Sequence, residues 1–559
     1  MGEIRNILFI MYDQLRWDYL SCTGHPHLKT PNFDRLAAMG VRFDRCYVQS
    51  PVCGPSRMST YTGRYVQSHG ASANFVPLRV GEMTLGDHLR ATGTQSWLVG
   101  KTHMAADAEG MARLGIDPAS DTGRRVAECG FDVWVRDDGI VAQGPSGALF
   151  GKVSAYNEAL RERGYPGDNP WHAFANSGLE ADGSLKSGWL LKNSREPANI
   201  REEDSETPWL TTEAIRFLDS RGPDAAPWLC HLSYIKPHWP YIAPEPWASL
   251  YGPEHVIPAN RSAAERADPQ PVYGAFLQNE ICRAFHRDEV RETVLPAYMG
   301  LIAQCDAELG RLLDHLQVTG RMEDTMIVLT SDHGDYMGDH WMGEKDLFHD
   351  CSARVPLFIY DPSAQADAMR GTVCEALVEA IDLAPTFVEA RGGTPAGHIL
   401  EGRSLMPWLR GTVPTAWRAA AISEYDYAIQ TAADRLGVTP RDARLFMVFD
   451  GRFKMMHAEG GFRPMLFDLQ TDPGELVDLG ADPAHEGIRA RLYGLLHDWA
   501  RRPSQRVTVS DERLAASRGK AQFAGIFIGV WDETDVIPAA RPVIEGRPGA
   551  DYRPRNAPT

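Results

Sequence analysis

The chain has 559 residues, 43% hydrophobic and 23% charged, which is ordinary for a globular protein of more than one domain. Its formal net charge of −17 excludes nucleic acids and anionic membrane surfaces as expected partners. No apolar run reaches the roughly eighteen residues of a membrane span, and the run at 7–12 is too short for a secretory signal. We therefore expect a cytoplasmic protein, with its nine scattered cysteines reduced.

Strands and helices alternate over most of the chain. Short apolar runs predict buried strands at 6–12, 94–104, 228–235 and 324–334, and periodic segments predict helices at 30–40, 85–93 and 292–316. This alternation is typical of a mostly parallel sheet covered by helices on both faces. Residues 105–225 are only weakly periodic, and we expect them to form long surface excursions that wall a cleft.

The sequence pattern changes near residue 415. Alternating segments joined by turns such as Asp450-Gly451 predict antiparallel strands, and a helix is predicted at 487–502. We expect an α/β catalytic domain over 1–414 and a smaller α+β domain over 415–559. The residues after 500 are rich in Pro, Arg and Gly. They are expected to form an extended arm that packs on another subunit of a homodimer or larger homo-oligomer.

Polar side chains come at or just after the carboxyl ends of four of the predicted strands. These residues are Asp13, Lys101, His238 and Asp332. The carboxyl ends of parallel strands meet at one edge of a sheet, and ligands bind beyond that edge. The sequence therefore predicts an active site there.

The segment SPVCGPSRMSTYTGR, residues 50–64, places Cys53 before Pro55, which is well suited to begin a helix. The positive end of the helix dipole would then face Cys53. From the residues alone, Cys53 could be a nucleophile, half of a disulfide, a metal ligand or a small apolar filler. A Cys-x5-Arg phosphatase loop is excluded because Ser59 stands where the arginine is required, and a papain-like flanking signature is absent.

Several motifs together resemble the sulfatase branch of the alkaline phosphatase superfamily over roughly residues 6–480. They are Cys53–Arg57, Thr62-Gly63-Arg64, Asp13, 100–103, 236–240, 331–334, Lys345, 354–360 and 466–479. Within this branch the chain is most similar to the cytoplasmic arylsulfatases and phosphonate monoester hydrolases. The resemblance implies an alkaline-phosphatase-like mixed, mostly parallel sheet between helices, followed by a small antiparallel sheet.

The resemblance also implies that Cys53 is oxidised to formylglycine by a formylglycine-generating enzyme that recognises Cys-x-Pro-x-Arg. The hydrated aldehyde carries two hydroxyls on one carbon. One would attack sulfur or phosphorus, and loss of a proton from the other would expel the anion. Arg57 would hold the hydrate.

The implied metal ligands are Asp13, Gln14, Asp332 and His333, which suit a divalent cation such as Mn2+ or Ca2+. Sulfatases usually have a second aspartate where Gln14 stands. A neutral amide removes one negative charge, which should favour Mn2+ or weaken Ca2+. Gln14 also makes the chain more similar to the phosphonate hydrolases, where such departures occur.

The other implied site residues surround the transferred group. Lys101 and Lys345 would offset its negative charge, and His238 would protonate the leaving oxygen. His103 would take the proton from the hydrate, and Asn74 would contact a substrate oxygen. The structural alternatives are that His238 satisfies a core carbonyl and that Asn74 is a turn residue. We assign a purely structural role to His231.

The leading hypothesis is a hydrolase of aryl or small alkyl sulfuric esters. The nearest rival is a phosphonate monoester or phosphodiester hydrolase with the same site, because the two transition states share their shape. A non-catalytic binding protein on the same scaffold would instead retain an unmodified Cys53 and bind no metal.

Overall fold

The computed structural model describes residues 4–139, 154–518 and 521–545. Its centre is an eight-stranded sheet with the spatial order β8–β2–β7–β6–β1–β5–β3–β4. The strands are β1 (Asn6–Asp13), β2 (Val41–Phe43), β3 (Gln95–Gly100), β4 (Asp132–Arg136), β5 (Trp228–Pro237), β6 (Thr325–Ser331), β7 (Leu357–Tyr360) and β8 (Thr372–Cys374).

The central strand β1 is buried along its whole length because helices cover both faces of the sheet. It pairs in parallel with β5 and β6, so that Phe9 lies opposite both His231 and Val328. Strand β7 runs antiparallel to its two neighbours, β6 and β2. The predicted mixed, mostly parallel sheet is therefore confirmed.

Seven helices carry most of the packing. They are α1 (Pro31–Met39), α2 (Cys53–Thr62), α3 (Leu85–Arg90), α4 (Glu206–Asp219), α5 (Asp288–Val318), α6 (Leu383–Ala390) and α7 (Glu486–Ala500). Alternate residues of β1 serve the two faces of the sheet. Leu8 and Ile10 pack with α1, α4 and α5, whereas Ile7 and Phe9 pack with α2, α3 and α6.

Shorter elements connect these parts. The short helices are Val66–His69, Ala108–Arg113, Asp121–Ala127, Ala155–Glu162, Ala264–Ala267, Pro271–Phe276, Glu280–Phe285, Asp350–Ala353, Met406–Leu409, Thr431–Leu436, Asp511–Ala516 and Arg541–Ile544. Cys46–Tyr47, Arg354–Val355 and Val378–Glu379 form a small sheet, and Ser177–Leu179 pairs with Leu185–Ser187.

The expectation that residues 105–225 form only surface excursions is wrong for two elements. Strand β4 pairs in parallel with β3 at one edge of the central sheet. Helix α4 buries Trp209, Leu210 and Phe217 in the main core. Helix α4 also carries charged residues such as Arg216 on its outer side, and these obscure the apolar spacing in the sequence. The part of the expectation that concerns 140–153 lies outside the described residues.

The chain after 415 forms the expected antiparallel sheet and helix. Its strands are β9 (Ala421–Asp426), β10 (Arg444–Phe449), β11 (Phe453–Ala458) and β12 (Met465–Asp468), paired in that order. At the turn between β10 and β11, Asp450 Oδ1 accepts hydrogen bonds from two following backbone N–H groups. Helix α7 follows the sheet, as predicted.

The chain divides into two compact units. One comprises Met1–Pro395 and Leu400–Arg502, and it contains all four sheets of the described residues; the other comprises Ala396–Ile399 and the chain from Pro503 onward. The division into domains at residue 414 and the intersubunit role of the arm stay predictions. Among the described residues, no helix combines the length and the apolar character that crossing a membrane requires.

Gly100 lies at the end of β3, where this strand passes close to β5. Gly100 ends β3 with a φ of +105°, and a Cβ there would lie 2.1 Å from the Ser233 carbonyl oxygen. Gly24 has a similar φ of +99° but nothing within 4 Å of its Cβ position. Gly24→Ala should therefore lower the unfolding free energy only by the cost of the left-handed backbone conformation, about 1–2 kcal/mol. Gly100→Ala should lower the unfolding free energy by about 1–3 kcal/mol more, because the added Cβ overpacks against β5.

Urea unfolding of Gly100→Ala and Gly24→Ala measures the difference. Equal losses of stability in the two variants would contradict the tight contact between β3 and β5.

Candidate active site

The carboxyl ends of four strands meet at one edge of the central sheet. Asp13 is the last residue of β1, and the other three polar residues follow β3, β5 and β6 directly: Lys101, His238 and Asp332. All four are almost fully buried. Helix α2 begins against the same edge with Cys53, two residues before the expected start at Pro55.

Four side chains at this edge form a compact group of potential metal ligands. The ligand atoms of Asp13, Cys53, Asp332 and His333 all lie within 4.8 Å of one another. His333 Nε2 is 3.0 Å from Cys53 Sγ and 3.6 Å from Asp332 Oδ1. His333 Nδ1 donates to the Gly334 carbonyl at 2.8 Å, which directs the Nε2 side of the ring toward the carboxylates.

The electrostatics of this group favour a cation. Burial alone raises the pKa of Asp13, but the Lys101 ammonium and the other nearby positive groups hold that pKa well below its usual range. Burial lowers the pKa of His333, yet the Asp332 carboxylate and Cys53 outweigh it and raise this pKa to about 9. Because two carboxylates and an imidazole converge where positive charge is stabilised, the donor set fits a divalent metal ion.

Gln14 completes the predicted ligand set in an unusual backbone conformation. Its φ is +67°, and its N–H donates to Asp332 Oδ1 at 3.1 Å. Its side-chain nitrogen donates to Tyr241 Oη at 3.0 Å and also to Asp335. Its side-chain oxygen accepts from Lys345 Nζ at 3.3 Å. The side-chain oxygen of Gln14 is therefore the end of the carboxamide that faces the site.

Arg57 neutralises the two carboxylates from within α2. Its Nε donates to Asp332 Oδ2 at 2.7 Å, and one Nη is 3.3 Å from Asp13 Oδ2. The other Nη donates to Ser233 Oγ at 2.7 Å and to the Lys101 carbonyl at 3.2 Å. The guanidinium is completely buried, so its charge belongs to this site alone.

Two lysines add positive charge to the site. Lys101 Nζ contacts Asp13 Oδ2, and Lys345 Nζ lies 3.2 Å from Cys53 Sγ. Burial lowers the pKa of both ammonium groups, but Asp13 and Cys53 outweigh this and raise the pKa of Lys101 and of Lys345 respectively. Both lysines therefore stay charged.

Two histidines are kept neutral by burial. Burial lowers the pKa of His238 well below its usual value, and Lys345 contributes to this. The same cause, followed by Lys101, lowers the pKa of His103. His238 Nδ1 donates to the Trp239 carbonyl at 2.7 Å, leaving Nε2 3.9 Å from Asp13 Oδ1. His103 Nδ1 is buried without a hydrogen-bond partner among the described residues.

A cavity of about 310 Å³ reaches Cys53, and Lys101, His103, His238 and Lys345 also line it. Asn74 also lines it, while its Oδ1 accepts from the Gly54 N–H at 2.8 Å at the start of α2. His231 lies behind the site, where it bonds Tyr61 Oη at 2.8 Å and the Phe9 carbonyl at 3.1 Å. These contacts agree with the structural role expected for His231.

Sequence reasoning missed several residues around the site. The further cavity-lining residues are Val52, Phe75, Asp138, Trp239, Glu344, Asp346 and Gln430. The sequence offered one signal, which is proximity to a motif: Trp239 adjoins His238, and Glu344 and Asp346 flank Lys345. Asp335 and Tyr241, which hold Gln14, were missed as well.

A buried group of potential metal ligands lies beside a helix-terminal cysteine at the edge of an alkaline-phosphatase-like sheet, and this arrangement fits an ester hydrolase. Comparison with family models agrees, because the model described as Sulfatase matches residues 5–393. A second model, N-sulphoglucosamine sulphohydrolase, C-terminal, matches residues 338–502. The chain therefore belongs to the sulfatase family.

Individual relatives are similar over nearly the whole chain. The multifunctional alkaline phosphatase superfamily protein PehA of Trinickia caryophylli is 30% identical over 93% of this chain and 98% of its own. An arylsulfatase of Clostridium perfringens is 27% identical over 85% and 90% of the two chains. The phosphonate monoester hydrolase SpPMH from Silicibacter pomeroyi superposes with a TM-score of 0.78 at 29% identity, covering 89% and 95%.

The Arg57 contacts predict a large stability effect. Arg57→Met leaves two buried carboxylates without their shared partner and should lower the unfolding free energy by about 3–5 kcal/mol. The control is Arg444→Met, because the half-exposed Arg444 lies 3.9 Å from Glu459 and should contribute less than about 1 kcal/mol. Denaturant unfolding of both variants provides the measurement. Similar small losses would contradict the neutralising role of Arg57.

Proposed function

We propose that this ester hydrolase cleaves aryl or small alkyl sulfuric esters, with formylglycine derived from Cys53 as its nucleophile. One observation carries the proposal. The side chain of residue 53 opens onto the cavity within 3.0 Å of His333 and 3.2 Å of Lys345. A nucleophile at this point adjoins both the candidate metal ligands and a permanent positive charge.

Two groups would complete the site. Formylglycine supplies a hydrated aldehyde, whose hydroxyls serve as the nucleophile and then as the group that releases sulfate. Asp13, Gln14, Asp332 and His333 would hold Mn2+ or Ca2+, which supplies Lewis acidity toward a hydroxyl and a substrate oxygen. The maturation partner that the proposal requires is a formylglycine-generating enzyme.

The lysines of the chain bind the anionic head of the substrate. A sulfuric ester presents non-bridging oxygens that share one negative charge. Lys101 and Lys345 both line the cavity and are already charged and buried before substrate enters. Because their charges are fixed in advance, they stabilise developing negative charge without reorganisation. Asn74 donates its side-chain N–H to a substrate oxygen.

The histidines move protons. His238 presents Nε2 to the site because its Nδ1 hydrogen is held by the Trp239 carbonyl. An arriving anion favours the protonated ring, and His238 then donates this proton to the leaving oxygen. His103 accepts a proton from the side chain of residue 53, which suits an imidazole that burial keeps neutral.

Phosphonate monoesters and phosphodiesters are the second candidate substrates. The observation that favours them is Gln14, a neutral ligand where sulfatases usually have an aspartate, together with the structural similarity to a phosphonate monoester hydrolase. A phosphonate monoester carries the same single charge as a sulfuric ester and differs by a carbon substituent. Comparing kcat/KM for aryl sulfate and aryl phosphonate separates the two. A phosphonate preference of several orders of magnitude would reverse the order proposed here.

Maturation of Cys53 gives the first prediction from this proposal. After co-expression with a formylglycine-generating enzyme, peptide mass spectrometry should show that residue 53 has lost sulfur and two hydrogens and gained oxygen. Cys351 in the same digest is the internal control, because it lies outside the Cys-x-Pro-x-Arg motif and should keep its thiol. An unaltered thiol at residue 53 would favour a non-catalytic binding protein.

Proton donation by His238 gives the second prediction. His238→Ala should lower kcat/KM by about 10²–10⁴-fold for alkyl sulfates, whose leaving oxygen needs a proton. A nitrophenyl sulfate needs no such help, so its loss should be no more than about tenfold. Steady-state kinetics with both esters give the ratio. Equal losses for the two esters would show that His238 only binds substrate.

A further inference from the structure

Gln14 can serve the metal only through its oxygen, because an amide nitrogen carries no free electron pair for a cation. The two ends of a carboxamide are almost equal in size, so shape alone does not select the oxygen. The backbone of Gln14 is fixed: its carbonyl accepts from Tyr298 Oη at 2.7 Å and its N–H donates to Asp332. The freedom that remains is a flip of the carboxamide.

A triangle of hydrogen bonds opposes this flip. Gln14 Nε2 donates to Asp335 Oδ2 and to Tyr241 Oη. Tyr241 Oη in turn donates to the same Asp335 oxygen at 2.6 Å. All three residues are almost completely buried, so water cannot replace the lost partners easily. The nitrogen end is therefore held away from the site.

Holding the Gln14 amide in this orientation requires the carboxylate of Asp335. Its Oδ1 accepts the backbone N–H of Met337 at 2.9 Å, while its Oδ2 accepts from Gln14 and Tyr241. A carboxylate offers an acceptor at both ends, which a carboxamide does not. An asparagine at residue 335 has one NH2 end, which would face either the fixed Met337 N–H or the movable Gln14 amide. Turning the Gln14 amide is the cheaper response.

We propose that Asp335 is a positioning residue for the metal site, which with Tyr241 turns the Gln14 oxygen toward the cation. It rests on the proposed function only in taking Gln14 as a metal ligand. Asp335 also carries, one hydrogen bond further from the site, the negative charge that an acidic residue at position 14 would have supplied. Positions 14 and 335 thus form a complementary amide–carboxylate pair, and exchanging the two groups should preserve the site.

An exchange of the pair tests this proposal. Asp335→Asn should weaken Mn2+ binding by about 10–100-fold, the usual effect of losing a group that orients a ligand. Gln14→Glu should weaken it as well, because two carboxylates would then face each other. In the double variant, the amide introduced at residue 335 donates to the carboxylate introduced at residue 14, and the affinity should return to within about threefold of the parent. Calorimetric titration of Mn2+ into metal-free protein measures binding without any assay of activity.

Two further variants exclude a merely structural effect. Asp306 is another buried carboxylate, which accepts backbone N–H bonds from Asn32 and Phe33 in α1 and has no contact with Gln14 or Asp335 among the hydrogen bonds of the described residues. Asp306→Asn should lower stability and leave the Mn2+ affinity unchanged. Tyr241→Phe removes two of the three hydrogen bonds of the triangle and should weaken Mn2+ binding severalfold. It provides the decisive measurement if the variants at residue 335 do not fold.

The outcomes are distinct. Two results would overturn the positioning role of Asp335 alone. One is an Asp335→Asn variant that binds Mn2+ as tightly as the parent. The other is a double variant whose Mn2+ affinity is lowered by the two single losses combined. With no folded variant at residue 335, unchanged affinity in Tyr241→Phe would overturn it too. A parent protein that binds neither Mn2+ nor Ca2+ would overturn the proposed metal-dependent function together with this inference.

Discussion

Two carboxylates, those of Asp13 and Asp332, are buried side by side at the edge of the sheet, and such a pair is stable only with positive charge beside it. Arg57 contacts both carboxylates and lies on α2. Cys53 stands four residues earlier and therefore on the same face of that helix. Docking Arg57 between the carboxylates thus brings residue 53 to the cavity. In this way the two strand-end carboxylates fix the position of the side chain of residue 53.

The same arrangement concentrates positive charge locally in an acidic protein. The whole chain has a net charge of −17, yet Arg57, Lys101 and Lys345 bring three positive charges to Asp13, Asp332 and Cys53. A neutral Gln14 adds no further negative charge there. Negative charge is instead held by Asp335, on the far side of the Gln14 amide. Sulfuric esters and phosphonate monoesters, which share a single negative charge, are both compatible with this arrangement.

Much of the sheet and the site edge could be predicted from the sequence, because strands buried on both faces appear as continuous apolar runs that end in polar residues. Asp13, at the end of β1, is the clearest case. Helix α4 and strand β4 were missed, because their partly charged outer surfaces dilute that pattern. Asp335 and Tyr241 could not be found as partners of Gln14, since both lie more than two hundred residues away in sequence. Only the folded chain brings them together.

Anomalous X-ray scattering from crystals of the Mn2+-loaded protein would locate the metal ion. We expect one strong manganese peak enclosed by Asp13, Asp332 and His333, with the side-chain oxygen of Gln14 turned toward it. A peak elsewhere in the molecule, or none while Lys101 remains paired with Asp13, would contradict this expectation.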